Sequence, residues 1–463
     1  MVCRRKWQVW LIALVMGVLL SAESSAQVLQ DDQAVGSKEG LRLFTLEQCI
    51  ERALSINPRI LSAEDAVRSS GSEVGMARAD FFPQVALYAS NDRINNVWSG
   101  GLSDSNYVDQ TGRTLSLEVT QTLFAGLTVV NAYQRSLLNR EMVRAQKMQD
   151  EMQMVLDVQT TFFDRLKALE DVTRLTSSVH RLETNARAVH AFLDKEMIPY
   201  SNVLEVEAEL ANSRQQLSQA ENSVARKTIE LKMLIQVPDE IPVDFKGNLQ
   251  DAEVRPCPSM KACLDMAFAS RPEIQAGEKG VAIARKDRQI ALGRFYPRVS
   301  MSMSYNDHNI DYADPGIAYE TEYDKDGHDN YYKAQLTLQW DLFQGGKSCY
   351  KAQQARHEIS RLTNNLKQIR DQVETQVKTS YFSLKEARER IRITQTFFDS
   401  ALENYNRAQA RLHRMVGTLL EVLVVEDKLR DAEASYVKAQ ADYRIARAHL
   451  DYSVGRRYPS PTP

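Results

Sequence analysis

Four segments of the chain alternate apolar and polar residues one position at a time. The clearest is VSMSMSYND, within 298–307, where a valine, two methionines and a tyrosine alternate with serines and an asparagine. Similar alternation occurs over about 84–96, 113–124 and 333–343. Because successive side chains of a β-strand point to opposite faces, this pattern predicts strands with one apolar and one polar face. About ten residues are enough for a tilted strand to cross a bilayer.

Most of the remaining chain has a helical pattern. Over 347–413, apolar residues recur every three or four positions and no proline interrupts them. This spacing predicts a single helix with an apolar stripe, which at 1.5 Å per residue is roughly 100 Å long. Similar patterns predict long helices over 127–195, 201–235 and 419–454. Taken alone, the helices would fit a soluble coiled coil.

The chain is a tandem duplication. CIERALSINPRI, which begins at Cys49, matches CLDMAFASRPEI, which begins at Cys263, at an offset of 214 residues. QTLFAG ends at Gly126 and matches WDLFQG, which ends at Gly345, at an offset of 219 residues. The second copy therefore has five additional residues between its aromatic-proline corner and its LF-x-G motif. Since insertions are tolerated in exposed loops, we expect both copies to share helices of equal length.

The duplication defines the predicted organisation of the chain. The ranges are a signal peptide at 1–26, an N-terminal extension at 27–43, a first repeat at 44–236, a linker at 237–260, a second repeat at 261–455 and a C-terminal tail at 456–463. In each repeat, a helical region over 44–81 or 261–295 comes before the two strands. The two long helices follow the strands, so each repeat combines a strand pair with a helical hairpin.

The first residues have the pattern of an export signal. Arg4, Arg5 and Lys6 precede an apolar run that is too short for a membrane anchor, and small residues follow at 24–26. In an exported chain, Cys257 and Cys263 are close enough in sequence to form a disulfide, although two isolated buried thiols explain them equally well. The cysteine spacing does not indicate zinc, and we expect no metal site. The net charge of −3 provides no basic excess for binding nucleic acid.

Strands in a membrane cannot leave their edges unpaired, because lipid does not form hydrogen bonds with the backbone. One chain supplies four strands, whereas the smallest membrane barrels have about eight. Two copies would enclose a lumen filled by side chains, so we favour a trimer with twelve strands. Aromatic residues, which are typical of membrane interfaces, flank the strands: Phe81, Phe82, Phe124, Phe295, Tyr296, Trp340 and Phe343. A half-buried sheet on a soluble core is the alternative.

Over more than 400 residues, the chain resembles the TolC-like outer membrane factor (outer membrane efflux protein) family. The resemblance rests on the duplicated layout, the Asn57-Pro58 and Arg271-Pro272 openings, the aromatic-proline corners, the LF-x-G motifs and VGTLLEVL from Val416. It implies a mainly α-helical chain with a membrane β-sheet. In a homotrimer, four strands per chain would form a 12-stranded β-barrel, continued by a long α-helical barrel in the periplasm.

The resemblance also implies a function, namely the outer membrane channel of a tripartite export system. Such a channel passes small toxic compounds or secreted protein to the exterior. Its partners would be outer membrane lipid, a periplasmic adaptor (membrane fusion protein) and an inner-membrane ABC or proton-driven pump. Type I protein secretion rather than drug efflux is the alternative, and a periplasmic coiled-coil adaptor is a remote one. The resemblance implies no catalysis and no cofactor, and the chain contains no catalytic motif that would favour an enzyme.

Members of this family close their periplasmic mouth with helical tips and narrow it with acidic side chains. Here Glu421 matches the first acidic position and Val424 the second, so Glu426 is a candidate substitute. The other candidate gate residues are Arg414 and Asn202. A solvated charge on the helix surface is the alternative interpretation for Glu421.

The tips are also the expected contact with the adaptor. The residues concerned are Met197, Ile198, Pro199, Met415, Val416, Gly417, Thr418 and Leu419. We expect Pro199 to open the helix that follows it and Gly417 to permit a tight turn or a left-handed conformation. The apolar members of this set would alternatively pack within their own tip.

Overall fold

The computed structural model describes residues 42–100, 104–249, 259–312, 328–414 and 416–458. The predicted signal peptide, most of the N-terminal extension, part of the linker and the end of the tail lie outside these ranges. Within them, none of the helices has a stretch that is both long enough and apolar enough to span a membrane.

The described residues form six strands and eight helices. In chain order these are β1 (Arg42–Phe44), α1 (Leu46–Ile56), α2 (Pro58–Ala79), β2 (Gln84–Gly100), β3 (Asp104–Ala125), α3 (Thr128–Leu193), α4 (Tyr200–Leu234), β4 (Val243–Phe245), α5 (Met260–Ser270), α6 (Pro272–Gly293), β5 (Arg298–Tyr312), β6 (His328–Gln339), α7 (Lys347–His413) and α8 (Leu419–Ser453). The chain divides into two units. In the small unit, β1 pairs with β4 in parallel. All other described elements belong to the large unit.

The helical regions predicted over 44–81 and 261–295 are each two helices rather than one. The first breaks at Asn57 and the second at Arg271, and both residues have extended backbone torsions. Each precedes a proline, whose ring disfavours helical torsions in the residue before it. The proline itself then occupies the first turn of the next helix, where its missing N–H costs nothing.

The two residues before these prolines anchor the long helices that return to them. The Asn57 side chain donates from Nδ2 to the carbonyl oxygen of Leu234 at 2.9 Å. Arg271 donates from Nη1 to the carbonyl oxygen of Tyr452, also at 2.9 Å. Both carbonyls lie in the last turn of a helix, where no helical N–H remains to bind them. The Asn-Pro and Arg-Pro motifs therefore fix the end of α4 and α8, respectively.

The helices α3 and α7 contain 66 and 67 residues, so each is about 100 Å long. The helix α4 returns along α3, and α8 returns along α7 and also packs against α3. Alanines of α8 are fully buried in these contacts, including Ala432, Ala439 and Ala441. Small side chains let helix axes approach closely, which agrees with the expected use of alanine in the return helices.

The four remaining strands form one antiparallel sheet in the order β2-β3-β5-β6. Gln84 lies opposite Thr120 in the first hairpin, and Arg298 lies opposite Gln339 in the second. The repeat offsets of 214 and 219 residues convert the first pair into the second. The two hairpins therefore have the same register at their base, and the five additional residues of the second copy lie farther along that hairpin.

The strand predicted over 333–343 begins earlier and ends earlier, because β6 runs from His328 to Gln339. Its partner β5 begins at Arg298, directly opposite Gln339. Residues 340–343 thus have no neighbouring strand within the described part of the chain, and extended backbone needs such a neighbour to complete its hydrogen bonds.

Candidate functional site

The first helical tip connects α3 to α4. Glu196 adopts a left-handed conformation, with φ of 55°, and the Met197 N–H donates to the carbonyl oxygen of Phe192 at 3.0 Å. This arrangement is typical of a helix C-terminus. Pro199 is the N-cap of α4, immediately before its first turn. Met197 and Pro199 are exposed, whereas Ile198 is partly buried against the Val203 cluster of its own tip.

The second tip connects α7 to α8, and Gly417 does not take the left-handed conformation that was one of the two expectations. Instead, the N–H groups of Val416 and Gly417 both donate to the carbonyl oxygen of Arg411. A Cβ at position 417 would lie 3.1 Å from the Arg411 Cβ, so glycine here permits a close approach between backbones. Thr418 caps α8 by accepting from the Glu421 N–H at 3.2 Å. Met415 lies outside the described residues.

The predicted gate residue Glu421 lies in the first turn of α8 and is half-buried. Its carboxylate pairs with Arg411 across the tip turn, rather than with Arg414. Arg414 is exposed, and Asn202 occupies the corresponding position on the other tip. An exposed ion pair of this kind contributes about 0–1 kcal/mol to stability. The carboxylate thus remains at the tip surface, where a role at a channel mouth stays a prediction.

Glu426 does not lie where a pore-lining substitute would have to be, because its side chain is only 1% exposed. Ser178 Oγ donates to its Oε1 at 2.9 Å, and Arg181 Nε lies 3.0 Å from both carboxylate oxygens. A step of five residues from Glu421 rotates the side chain by about 140° around the helix. Glu426 therefore points into the contact between α8 and α3.

Arg181 holds a second carboxylate, because its Nη2 lies 3.4 Å from Glu433 Oε2. Glu433 is two turns beyond Glu426 and thus on the same face of α8. Desolvation raises the pKa of both carboxyl groups more than the positive charge of Arg181 lowers it. One guanidinium thus serves two carboxylates in a largely dry contact.

A second arginine links the same helices. Arg430 is buried on α8 and pairs with Glu209 of α4 at 2.5 Å. Arg174 of α3 donates to the Arg430 carbonyl oxygen at 3.3 Å. We call the set formed by Ser178, Arg181, Glu209, Glu426, Arg430 and Glu433 the inter-repeat ion cluster. It joins the helical hairpin of the first repeat to α8 of the second.

The sequence predictions did not include the inter-repeat ion cluster. One signal was available, because Glu426 lies on the apolar stripe of α8 between Val422 and Leu429, both fully buried. A charged residue in an apolar stripe requires a partner. Arg181 is 245 residues away, so the identity of that partner follows only from the fold.

The seven aromatic residues expected at the membrane interface are all exposed. They lie at the helix-proximal ends of the strands or in the corners beside them, and the Trp340 indole donates to the Phe295 carbonyl oxygen at 3.2 Å. Cys263 is buried in α5, and Cys257 lies outside the described residues, so their pairing stays a prediction. In the part of the chain that the structure describes, no three His, Cys, Asp or Glu side chains are placed to hold a metal ion.

Comparison with known proteins agrees with this architecture. The family described as "Outer membrane efflux protein" matches residues 49–235 and 263–456, one segment in each repeat. Protein CyaE of Bordetella pertussis is 24% identical over 417 residues, covering 89% of this chain and 84% of CyaE. The alkaline protease secretion protein AprF of Pseudomonas aeruginosa is 25% identical over 264 residues, covering 55% of this chain and 51% of AprF. The crystal structure of CusC, described as forming a transmembrane channel, superposes with a TM-score of 0.77 at 14% identity and covers 92% of this chain and 95% of CusC.

Proposed function

The chain belongs to the outer membrane efflux protein family, and we propose that it forms the outer membrane channel of a tripartite export system. The observation that carries this proposal is the sheet β2-β3-β5-β6. One of its faces exposes large apolar side chains to the surroundings of the chain: Val85, Leu87, Leu115, Leu117, Met301, Met303, Leu336 and Leu338. An apolar face of this extent on an otherwise polar protein fits contact with lipid.

A homotrimer would complete this sheet and enclose the helices. In the described sheet, β2 and β6 each have one edge without a neighbouring strand, and three copies would join these edges into twelve strands. Large exposed side chains also follow one stripe of α7, formed by Tyr350, Phe382, Ile393 and Phe397. A second copy would cover this stripe, as expected if the long helices lie side by side in a tube.

The opposite face of the sheet suits a water-filled passage. It presents mainly serine, threonine, glutamine and asparagine, and Ser116 Oγ donates to the Asn306 side chain at 2.7 Å on it. Uncharged polar side chains are typical of barrel interiors that contain water. The long helices would continue that passage into the periplasm.

At the far end of the helices, we propose that the tips bind a periplasmic adaptor, which connects the channel to an inner-membrane pump. Met197, Val416 and Leu420 are exposed apolar residues at these tips and would supply the contact. The cargo would be small toxic compounds or a secreted protein. The similarity to AprF, whose name states protease secretion, favours protein secretion as the second candidate.

The channel proposal is tested by expressing the full chain in a bacterium that has an outer membrane. We expect the protein to fractionate with that membrane, to migrate as an oligomer of three chains and to conduct ions in planar bilayers. Deleting the gene in its own host should sensitise the cells to toxic compounds or abolish export of one protein. A monomer that stays in solution without detergent would overturn the proposal.

The gate prediction has its own test. Three copies of Glu421 around a pore would attract cations, so Glu421→Ala should lower the cation selectivity of single channels at least twofold without reducing their number. The measurement is the reversal potential across a salt gradient. Glu426→Gln is the matched control, because that carboxylate is enclosed and its loss should leave selectivity unchanged. Unchanged selectivity in Glu421→Ala would exclude this residue from the mouth.

A further inference from the structure

The two repeats of one chain meet between β3 and β5, and we call this contact the internal junction. Val119 lies opposite Met303 there, with both side chains on the apolar face of the sheet. Directly below, Gly126 of the first LF-x-G motif lies against Gly293 at the end of α6. A Cβ on Gly126 would lie 2.4 Å from the Gly293 carbonyl oxygen, so this contact excludes any larger residue.

The repeat offsets relate each position of this junction to a position at one of the free edges. Gly126 corresponds to Gly345, Gly293 to Ala79, and Asn131 to Tyr350. The three residues at the internal junction are buried, whereas their three counterparts are exposed. In particular, Asn131 is 9% exposed and Tyr350 is 72% exposed. The chain thus contains both halves of a second junction but does not bring them together.

We propose that neighbouring copies of this chain meet in a second junction that repeats the register of the internal one. This inference rests on the trimer of the proposed function and specifies which residues each copy contributes. Transferring the register of β3 and β5 by the repeat offsets places Leu338 of one copy opposite Ala89 of the next. Trp340 then lies opposite Leu87 of the next copy, and Gln339 opposite Tyr88.

The transferred register keeps the two faces of the sheet distinct. Leu338, Trp340, Leu87 and Ala89 all fall on the apolar face, whereas Gln339 falls on the polar face. A shift of one residue would place apolar side chains of one copy beside polar ones of the next, because side chains alternate with a period of two. The register also supplies the missing neighbour for residues 340–343, which would extend β6 along the next copy's β2.

The second junction differs from the first at one position. Ala79 stands where the internal junction has Gly293, and a Cβ on Gly293 would lie 2.9 Å from the Gly126 carbonyl oxygen. Ala79 would therefore meet the Gly345 carbonyl of the neighbouring copy too closely if the geometry were copied without change. The contact between copies must be more open than the contact within a chain, so a trimer would have three tight and three wider junctions.

Cysteine cross-linking tests the register. The full chain would carry Cys257→Ser and Cys349→Ser together with Leu338→Cys and Ala89→Cys, and would be oxidised in isolated outer membranes. Residues directly opposite in antiparallel strands have Cα atoms about 4.5–5.5 Å apart, which is within the range of a disulfide. The matched control pairs Leu338→Cys with Leu87→Cys, on the same face but displaced by two residues. At about 7–8 Å, this diagonal pair is beyond the disulfide range.

We expect the first pair to give at least tenfold more covalent trimer than the control pair on a denaturing gel, with loss of the trimer after reduction. A covalent trimer from the displaced pair alone would overturn the register and leave the proposed channel intact. A native trimer with no cross-link from either pair would also overturn the register. A native mass of one chain in the reduced sample would overturn the trimer itself, and with it the proposed function.

Discussion

Replacing Arg181 with methionine is expected to lower the free energy of unfolding by about 3–5 kcal/mol, the usual cost of removing one member of a buried ion pair. Glu426 would lose its bidentate partner at 3.0 Å while remaining enclosed. Glu433 would lose the same guanidinium. The measurement is denaturant unfolding of the detergent-purified protein, followed by helical circular dichroism.

Two further variants give this prediction its control. Arg411→Met removes the partner of Glu421 at the exposed tip, and we expect a loss below about 1 kcal/mol. Arg181→Met combined with Glu426→Met removes both charges, and should recover part of the loss because no carboxylate is then left unpaired at position 426. If Arg181→Met were no more harmful than Arg411→Met, the inter-repeat ion cluster would not hold the hairpins together.

Gly126→Ala is expected to have the second-largest effect. A residue with a side chain at φ of 60° costs roughly 1–2 kcal/mol. The new Cβ would also lie 2.4 Å from the Gly293 carbonyl oxygen, and such overpacking typically costs about 1–3 kcal/mol more. We expect a large fall in the amount of folded protein recovered from the outer membrane, and a lower unfolding midpoint for the protein that is recovered.

Gly345→Ala is the matched control, since Gly345 occupies the corresponding position with the same φ of 60°. A Cβ there meets no atom of its own chain within 4 Å, so only the backbone cost should remain. The difference between the two variants measures the close contact of the internal junction. Equal losses would mean that this contact contributes nothing beyond the backbone conformation.

Much of the fold is predictable because its signals are local. The four alternating segments predict the strands, and the unbroken apolar stripes predict the long helices. The breaks at Asn57 and Arg271 were missed although their signal was also local, since each residue precedes a proline that disfavours helix. The end of β6 at Gln339 is different. It depends on which strand lies beside residues 340–343, and no pattern within those residues determines that.

The candidate site was less predictable because its contacts connect distant parts of the chain. The position of Glu421 at the tip follows from the turn motif around Gly417, and the structure places it there. Glu426 follows Glu421 by only five residues, yet its environment is set by Ser178 and Arg181 on the other repeat. Sequence reasoning identified a carboxylate near the mouth but could not establish which side of α8 is covered.

The shared register at the base of both hairpins has an evolutionary consequence. The second copy gained five residues without moving the pairing of Arg298 with Gln339. Length and sequence at the cell-surface end can thus diverge freely while the wall beneath stays constant. Pressure from bacteriophages or antibodies would be answered there, at no expense to transport.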